Sequence, residues 1–279
     1  MKSVPTFGPV LPTLRSMGLA AALACGASAS MAGEATLSIT SFAASAAEFS
    51  GNYVLAMDPY QSFDLTALNG GGLYGAAADS YSADNWNQGA NRLAQVSLAK
   101  ATGNTVQFTD VMTQLATGGF NLGAMALAGG IPIGTPANAA NASALQSGIF
   151  TLIDGDGLAV AGSITFDIYY DLNVSEPLGS ALTYAQTVVS LLSSSDGGGS
   201  ASFDDGLLSS SLAGGVGATS GHFSWTFDLA AGESAYYTLA GSAIAVAAVP
   251  EPGSFVLMGL GIFATGACLR RRRTNERAS

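Results

Sequence analysis

Residues 162–171 read Gly-Ser-Ile-Thr-Phe-Asp-Ile-Tyr-Tyr-Asp, and their alternation decides the fold class. Ile164, Phe166, Ile168 and Tyr170 fall on one side of an extended chain, with Thr165, Asp167, Tyr169 and Asp171 on the other. Successive side chains of a strand point to opposite faces, so this is a half-buried strand with one apolar face. Residues 222–229 repeat the scheme with Phe223, Trp225, Phe227 and Leu229 facing inward. Ala230-Ala231-Gly232-Glu233 then turns the chain into a less regular apolar run over 234–246, and the two segments read as a closing hairpin.

Working outward, weaker strands are predicted over 35–40, 52–57, 61–65, 92–98, 104–110, 148–153 and 183–191. Their length and the turn residues between them suit an all-β sandwich, jelly-roll-like in organisation. Two stretches break the pattern. Residues 117–147 are rich in Ala, Gly and Asn and read as a long loop or a short helix. Residues 193–221 are rich in Ser, Gly and Asp and read as a flexible excursion. Residues 110–116 and 184–192 are too short for periodicity to separate helix from strand. No fixed repeat period is present, which argues against a solenoid.

The 279-residue chain carries a formal charge of −10, but that figure averages unlike parts. Between Gly33 and Val249, 17 acidic residues face only the bases Arg92 and Lys100, which leaves that segment at −15. Such a polyanion repels phosphate backbones, so nucleic acid is not an expected partner. The same field favours solubility and attracts cations. Cys25 and Cys268 both lie outside 33–249, so this segment has no disulfide and no thiolate chemistry. About 217 residues suffice for one domain stabilised by burial alone.

Lys2 and Arg15 are the only charges before the apolar stretch 17–24, and small residues follow, ending Ser30-Met31-Ala32. This reads as a signal peptide over 1–32, cleaved before Gly33. Ala22-Leu23-Ala24-Cys25-Gly26 resembles a lipoprotein signal, but Leu23 sits one place too late. At the other end Val249-Pro250-Glu251-Pro252-Gly253 precedes an uncharged run over 254–269, then Arg270, Arg271, Arg272 and Arg273. Each proline ring fixes φ and disfavours helix before it, so Pro250-Glu251-Pro252 is an extended, protease-accessible strip. Sixteen helical residues rise about 24 Å, a short transmembrane helix that thinning and arginine snorkelling would complete. By the positive-inside rule the arginines and the tail 274–279 stay cytoplasmic and 33–249 lies outside.

This order of Pro-Glu-Pro, apolar run and arginine cluster resembles the PEP-CTERM sorting signal of Gram-negative bacteria, here residues 250–273. The resemblance implies an exosortase-type membrane protease as partner. It also implies anchoring in the inner membrane before processing, then delivery to the cell surface or an exopolysaccharide or biofilm matrix. It covers a tenth of the chain and leaves the chemistry of 33–249 open.

Catalytic constellations are sparse there. His222 is the only histidine and stands at a strand start; no Gly-x-Ser-x-Gly elbow is present, and Asp204-Asp205 sit in a Gly/Ser-rich stretch with nothing to raise a pKa. Gly259-Leu260-Gly261-Ile262-Phe263-Ala264 fits a dinucleotide fingerprint only as a string, because it lies inside the apolar run. Asp154-Gly155-Asp156-Gly157 places two carboxylates in a glycine turn, the weak candidate for calcium, although the downstream glutamate of a helix-loop-helix site is missing. Tyr60, Tyr74, Tyr81 and Trp86, among Asp58, Asp79, Asp84, Asn85 and Asn87, form a candidate sugar-contact region. The expected role is structural or matrix-interacting and not enzymatic, with no resident cofactor. A carbohydrate-binding module is the alternative, and an unrecognised hydrolase stands behind it.

Overall fold

The computed structural model describes residues 32–46, 52–84, 91–105, 115–117, 119–128, 136–176, 183–209 and 215–247. The stretch 1–31 of the expected signal peptide, the expected transmembrane helix, the sorting signal 250–273 and the tail 274–279 lie outside them, as does Trp86. The described strands are β1 (Ala32–Ala46), β2 (Tyr53–Leu68), β3 (Ala76–Ala83), β4 (Asn91–Val96), β5 (Ala99–Thr105), β6 (Leu115–Thr117), β7 (Phe120–Leu127), β8 (Asn138–Ile153), β9 (Gly162–Ser175), β10 (Tyr184–Ser195), β11 (Ser200–Leu208), β12 (Val216–Leu229) and β13 (Ser234–Ala247). They form two antiparallel sheets. One runs β12-β9-β1-β7-β5-β4, with β6 beside β1, and the other runs β11-β10-β13-β8-β2-β3. The fold is an all-β sandwich.

Alternation in the sequence becomes two inward faces that interlock. Phe166 on β9 lies at the centre of an aromatic cluster, with Trp225 at 4.9 Å, Phe150 at 5.2 Å and Phe42 at 6.1 Å between ring centroids. Phe42 in turn stacks on Tyr237 of β13 at 4.5 Å. Each fully buried ring of this kind contributes about 2–3 kcal/mol over an exposed one. Beside these rings the inward positions are small: Ala124 and Ala126 on β7, and Ala140, Ala142 and Ala144 on β8. Large and small side chains thus fill the layer together. At Gly241 on β13 even a methyl group would run into Leu37 and Phe120.

Three expectations are corrected. Residues 117–147 hold β7 and the first half of β8, whose Ala124, Ala126, Ala140, Ala142 and Ala144 are buried in the core. Residues 193–221 hold β11 and the start of β12, and the tight turn at 196–199 between β10 and β11 is their only short break among the described residues. The strand expected over 183–191 is present as β10, and residues 184–192, left open between helix and strand, are strand. β12 and β13 are not a hairpin: the turn at 230–233 carries the chain from one sheet to the other, and β12 pairs with β9 while β13 pairs with β8 and β10.

Two other segments are refined. The runs 52–57 and 61–65 are one strand, interrupted by a register shift between Met57 and Tyr60 where Asp58 adopts φ 46°. Asp tolerates this left-handed conformation better than most side chains. The strand expected at 104–110 is centred earlier, on Ala99–Thr105, and 106–110 lie outside the described residues.

Candidate functional site

The sequence candidates in the body do not converge. Tyr60 lies on β2 just after its bulge, on the outer surface of its sheet, and Tyr74 lies in the turn between β2 and β3, half exposed. Eight residues of strand separate Tyr60 from the end of β2 at Leu68, about 26 Å. Tyr81 points the other way. It packs against Phe63 of the core at 6.3 Å, and the Arg92 guanidinium lies 4.5 Å over its ring. Arg92 also reaches Asp79 at 3.8 Å, and Asp79 Oδ2 accepts the backbone N–H of Leu93. These three side chains close one side of the sandwich, where β3 of one sheet meets β4 of the other. No single sugar ring touches Tyr60, Tyr74 and Tyr81 together.

Asp154 and Asp156 sit in the turn after β8. Asp154 Oδ1 accepts the backbone N–H groups of Asp156 and Leu158, each at 2.9 Å, so this carboxylate organises its own turn. Among the described residues no three His, Cys, Asp or Glu side chains cluster to hold a metal. Asp204 and Asp205 lie on strand β11 rather than in a loop, and Asp205 points into the sandwich, where its Oδ2 accepts the Tyr170 hydroxyl at 2.7 Å. Burial and this carboxylate raise the Tyr170 pKa well above the ordinary tyrosine value.

The richest polar array is the outer face of β9 and β12. His222 and Tyr169 are directly opposed across the two strands, and their rings stack at 4.1 Å with 12° between planes. His222 Nε2 lies 3.1 Å from Asp167 Oδ1. Ser220 donates to Asp171, Ser163 donates to Asp228, and the Thr165 and Thr226 hydroxyls are 2.9 Å apart. At its far end Glu34, Thr36, Asn173, Ser175, Val216 and Ala218 line an open groove of about 290 Å³. The sequence places Asp167, Tyr169 and His222 facing outward, but only the β9–β12 register brings them together. Single-strand alternation carries no information on that register. Among the described residues no hydroxyl bonds to His222, so the pair has a carboxylate partner and no nucleophile in line.

The remaining candidate is Pro250, Glu251, Pro252 and the arginines 270–273. Residues 248–273 match the PEP-CTERM protein-sorting motif. The PEP-CTERM motif starts two residues before Pro250 and ends on Arg273, so it contains every residue that carries the sequence resemblance. It is a sorting signal, and it implies an exported protein handled by an exosortase in the membrane. No curated protein and no solved structure matches the chain. Among the described residues no helix is long and apolar enough to cross a membrane, and the run 254–269 within the PEP-CTERM motif is outside them.

Proposed function

We propose that this chain is an exosortase substrate whose body takes a structural or matrix-interaction role at the cell surface or in an exopolysaccharide or biofilm matrix. The observation that carries the reading is the PEP-CTERM match over 248–273. On this reading residues 1–32 direct export, 254–269 span the inner membrane, 270–273 hold the tail inside, and a protease reads Pro250-Glu251-Pro252. The body, a jelly-roll-like sandwich, then works as a soluble scaffold. Its charge of −15, the absence of cysteine from 33–249 and a core made of interlocked rings and alanines all suit a protein stable outside the cell. The role is non-enzymatic. Its one histidine is tied to Asp167 on an open sheet face, where water is not excluded.

Among the described residues the glycan-binding alternative has no shared aromatic site to rest on, because Tyr60, Tyr74 and Tyr81 are spread over an outer face, a turn and an inner face. The test is fractionation of cells that express the full chain or a version ending at Ala247. The full chain should pass through the inner membrane and then reach the surface or matrix fraction. The shortened chain should be exported and remain soluble in the periplasm. Identical distributions would remove the support for sorting by this segment.

A further inference from the structure

Among the described residues both sheets end in strands paired on one side only, and these edges are guarded unequally. An open row of backbone N–H and C=O groups invites pairing with another chain unless charge, shortness or a cover prevents it. β3 and β4 face each other and are joined through Asp79, which bonds both Arg92 and the Leu93 N–H. β11 has nine residues and carries Asp204 and an inward-pointing Asp205, whose Oδ1 accepts the N–H of Gly206. β12 differs. Its 14 residues pair with β9 in an unbroken register from Val216 to Leu229, with no proline, no lysine and no bulge.

Backbone direction along β12 follows from β9. The Thr40 and Ser45 hydroxyls of β1 bond the carbonyls of Tyr169 and Thr165, so odd-numbered residues of β9 turn their backbone groups toward β1. Their partners on β12 are the even-numbered residues, which therefore turn N–H and C=O away from β9, to the open side. These are Val216, Ala218, Ser220, His222, Ser224, Thr226 and Asp228. Four of their side chains are bonded sideways to β9: Ser220 to Asp171, His222 to Asp167, Thr226 to Thr165 and Asp228 to Ser163. The polar groups that would otherwise shield the edge are drawn off it.

We propose that β12 is a self-pairing edge, at which the β12 strands of two copies of this chain join antiparallel about a twofold axis and make one continuous sheet. A second copy fits because the strand complements itself. With the axis at His222, Asp228 opposes Val216, Thr226 opposes Ala218 and Ser224 opposes Ser220; with the axis at Gly221, Asp228 lies beyond the partner's Val216. In neither register does one carboxylate of the strand oppose another, the arrangement that destabilises cross-strand pairs. The −15 charge of each body opposes association at long range, so the pairing tightens as salt screens it. The inference is independent of the sorting signal.

The experiment is gel filtration with light scattering on the purified full chain in detergent, over a range of protein concentration and salt. Two variants accompany it, Ser224→Pro and Ser224→Lys. Proline at 224 removes an N–H that bonds nothing within the monomer's ladder, so the β9–β12 pairing survives while the outer row loses a donor. The parent should be dimeric, and both variants should dissociate at least about tenfold more readily, with unchanged far-ultraviolet dichroism. If Ser224→Pro fails to fold, Ser224→Lys carries the reading. A parent that stays monomeric at the highest concentration overturns the proposal. So do variants as dimeric as the parent, since association through residues 254–269 would survive both changes.

Discussion

The Tyr170 hydroxyl donates to Asp205 Oδ2 at 2.7 Å, and this bond joins the two sheets along the side of the sandwich opposite Arg92 and Asp79. Asp205 sits on the edge strand β11 with its carboxylate turned inward, and Tyr170 is almost fully buried on β9. Phe203 lies 5.5 Å from the Tyr170 ring and stacks on Phe223 at 4.8 Å. A carboxylate turned inward gives up solvation, so its two neutral donors, the Tyr170 hydroxyl and the Gly206 N–H, matter more than average surface bonds.

Tyr170→Phe keeps the ring and removes that donor. The expected loss is about 1–3 kcal/mol in urea unfolding, the range for an inward-facing polar group that loses one of its partners. A loss of only a few tenths would mean that water already satisfies Asp205.

Tyr170 and Tyr237 both have pKa values raised above the ordinary tyrosine value, with burial as the leading cause in each. A raised folded-state value means that the folded chain holds the proton more tightly than the unfolded one. Stability from these two groups is therefore complete below about pH 10 and lost as pH rises from there toward their folded-state values. Denaturant titrations at rising pH should show the fall beginning near the unfolded tyrosine pKa, with a shallower slope in Tyr170→Phe. A parent and variant with parallel profiles would assign the fall elsewhere.

Gly221 on β12 lies against the Tyr170 ring and hydroxyl, and a Cβ there would overlap both. Gly221→Ala should cost about 1–3 kcal/mol as an overpacked contact. Adding Tyr170→Ala should cost less than the sum of the two single changes, because the clash disappears with the ring. Additive thermal-melt or urea results would show that Tyr170 swings aside freely.

Calcium ions should raise the melting temperature modestly by screening a body of charge −15. The increase should persist in the double variant Asp154→Asn, Asp156→Asn, since Asp154 Oδ1 already accepts two backbone N–H groups. Loss of the increase in that variant would establish a specific site at this turn.

The legible part of the fold was the part with chemical contrast. β9 and the second half of β12 alternate Ile, Phe, Tyr and Trp with Asp, Ser and Thr, and the inward residues read from that contrast are buried, save Phe223, which is half-buried at the side of the core. The second half of β7 sets inward Ala124 and Ala126 against Gly123, Met125 and Leu127, and the first half of β8 sets inward Ala140, Ala142 and Ala144 against Ala139, Asn141, Ser143 and Leu145, where the difference in hydrophobicity is too small to mark a face. Their inward alanines share one buried core with Leu37 of β1 and Phe63 of β2, a fact of packing that no single segment records. The turn at 230–233 misleads for a related reason. Four residues serve a hairpin and a sheet-to-sheet crossing alike, and the choice rests on pairing with β9 and β8. Of the site residues, the sorting signal was readable because order and spacing along the chain carry it, whereas the His222–Tyr169–Asp167 array exists only through register.

The most direct test of the account is the fate of Glu251→Ala. This change removes the one carboxylate between Pro250 and Pro252 and leaves the apolar run 254–269 and Arg270–Arg273 intact. Membrane insertion depends on the run and its flanking charge, so it should persist. Processing should fail, and immunoblots of cell fractions should show a heavier form held in the inner membrane in place of the surface or matrix form. A variant cleaved and delivered like the parent would contradict the reading of residues 248–273 as the signal that determines where this protein goes.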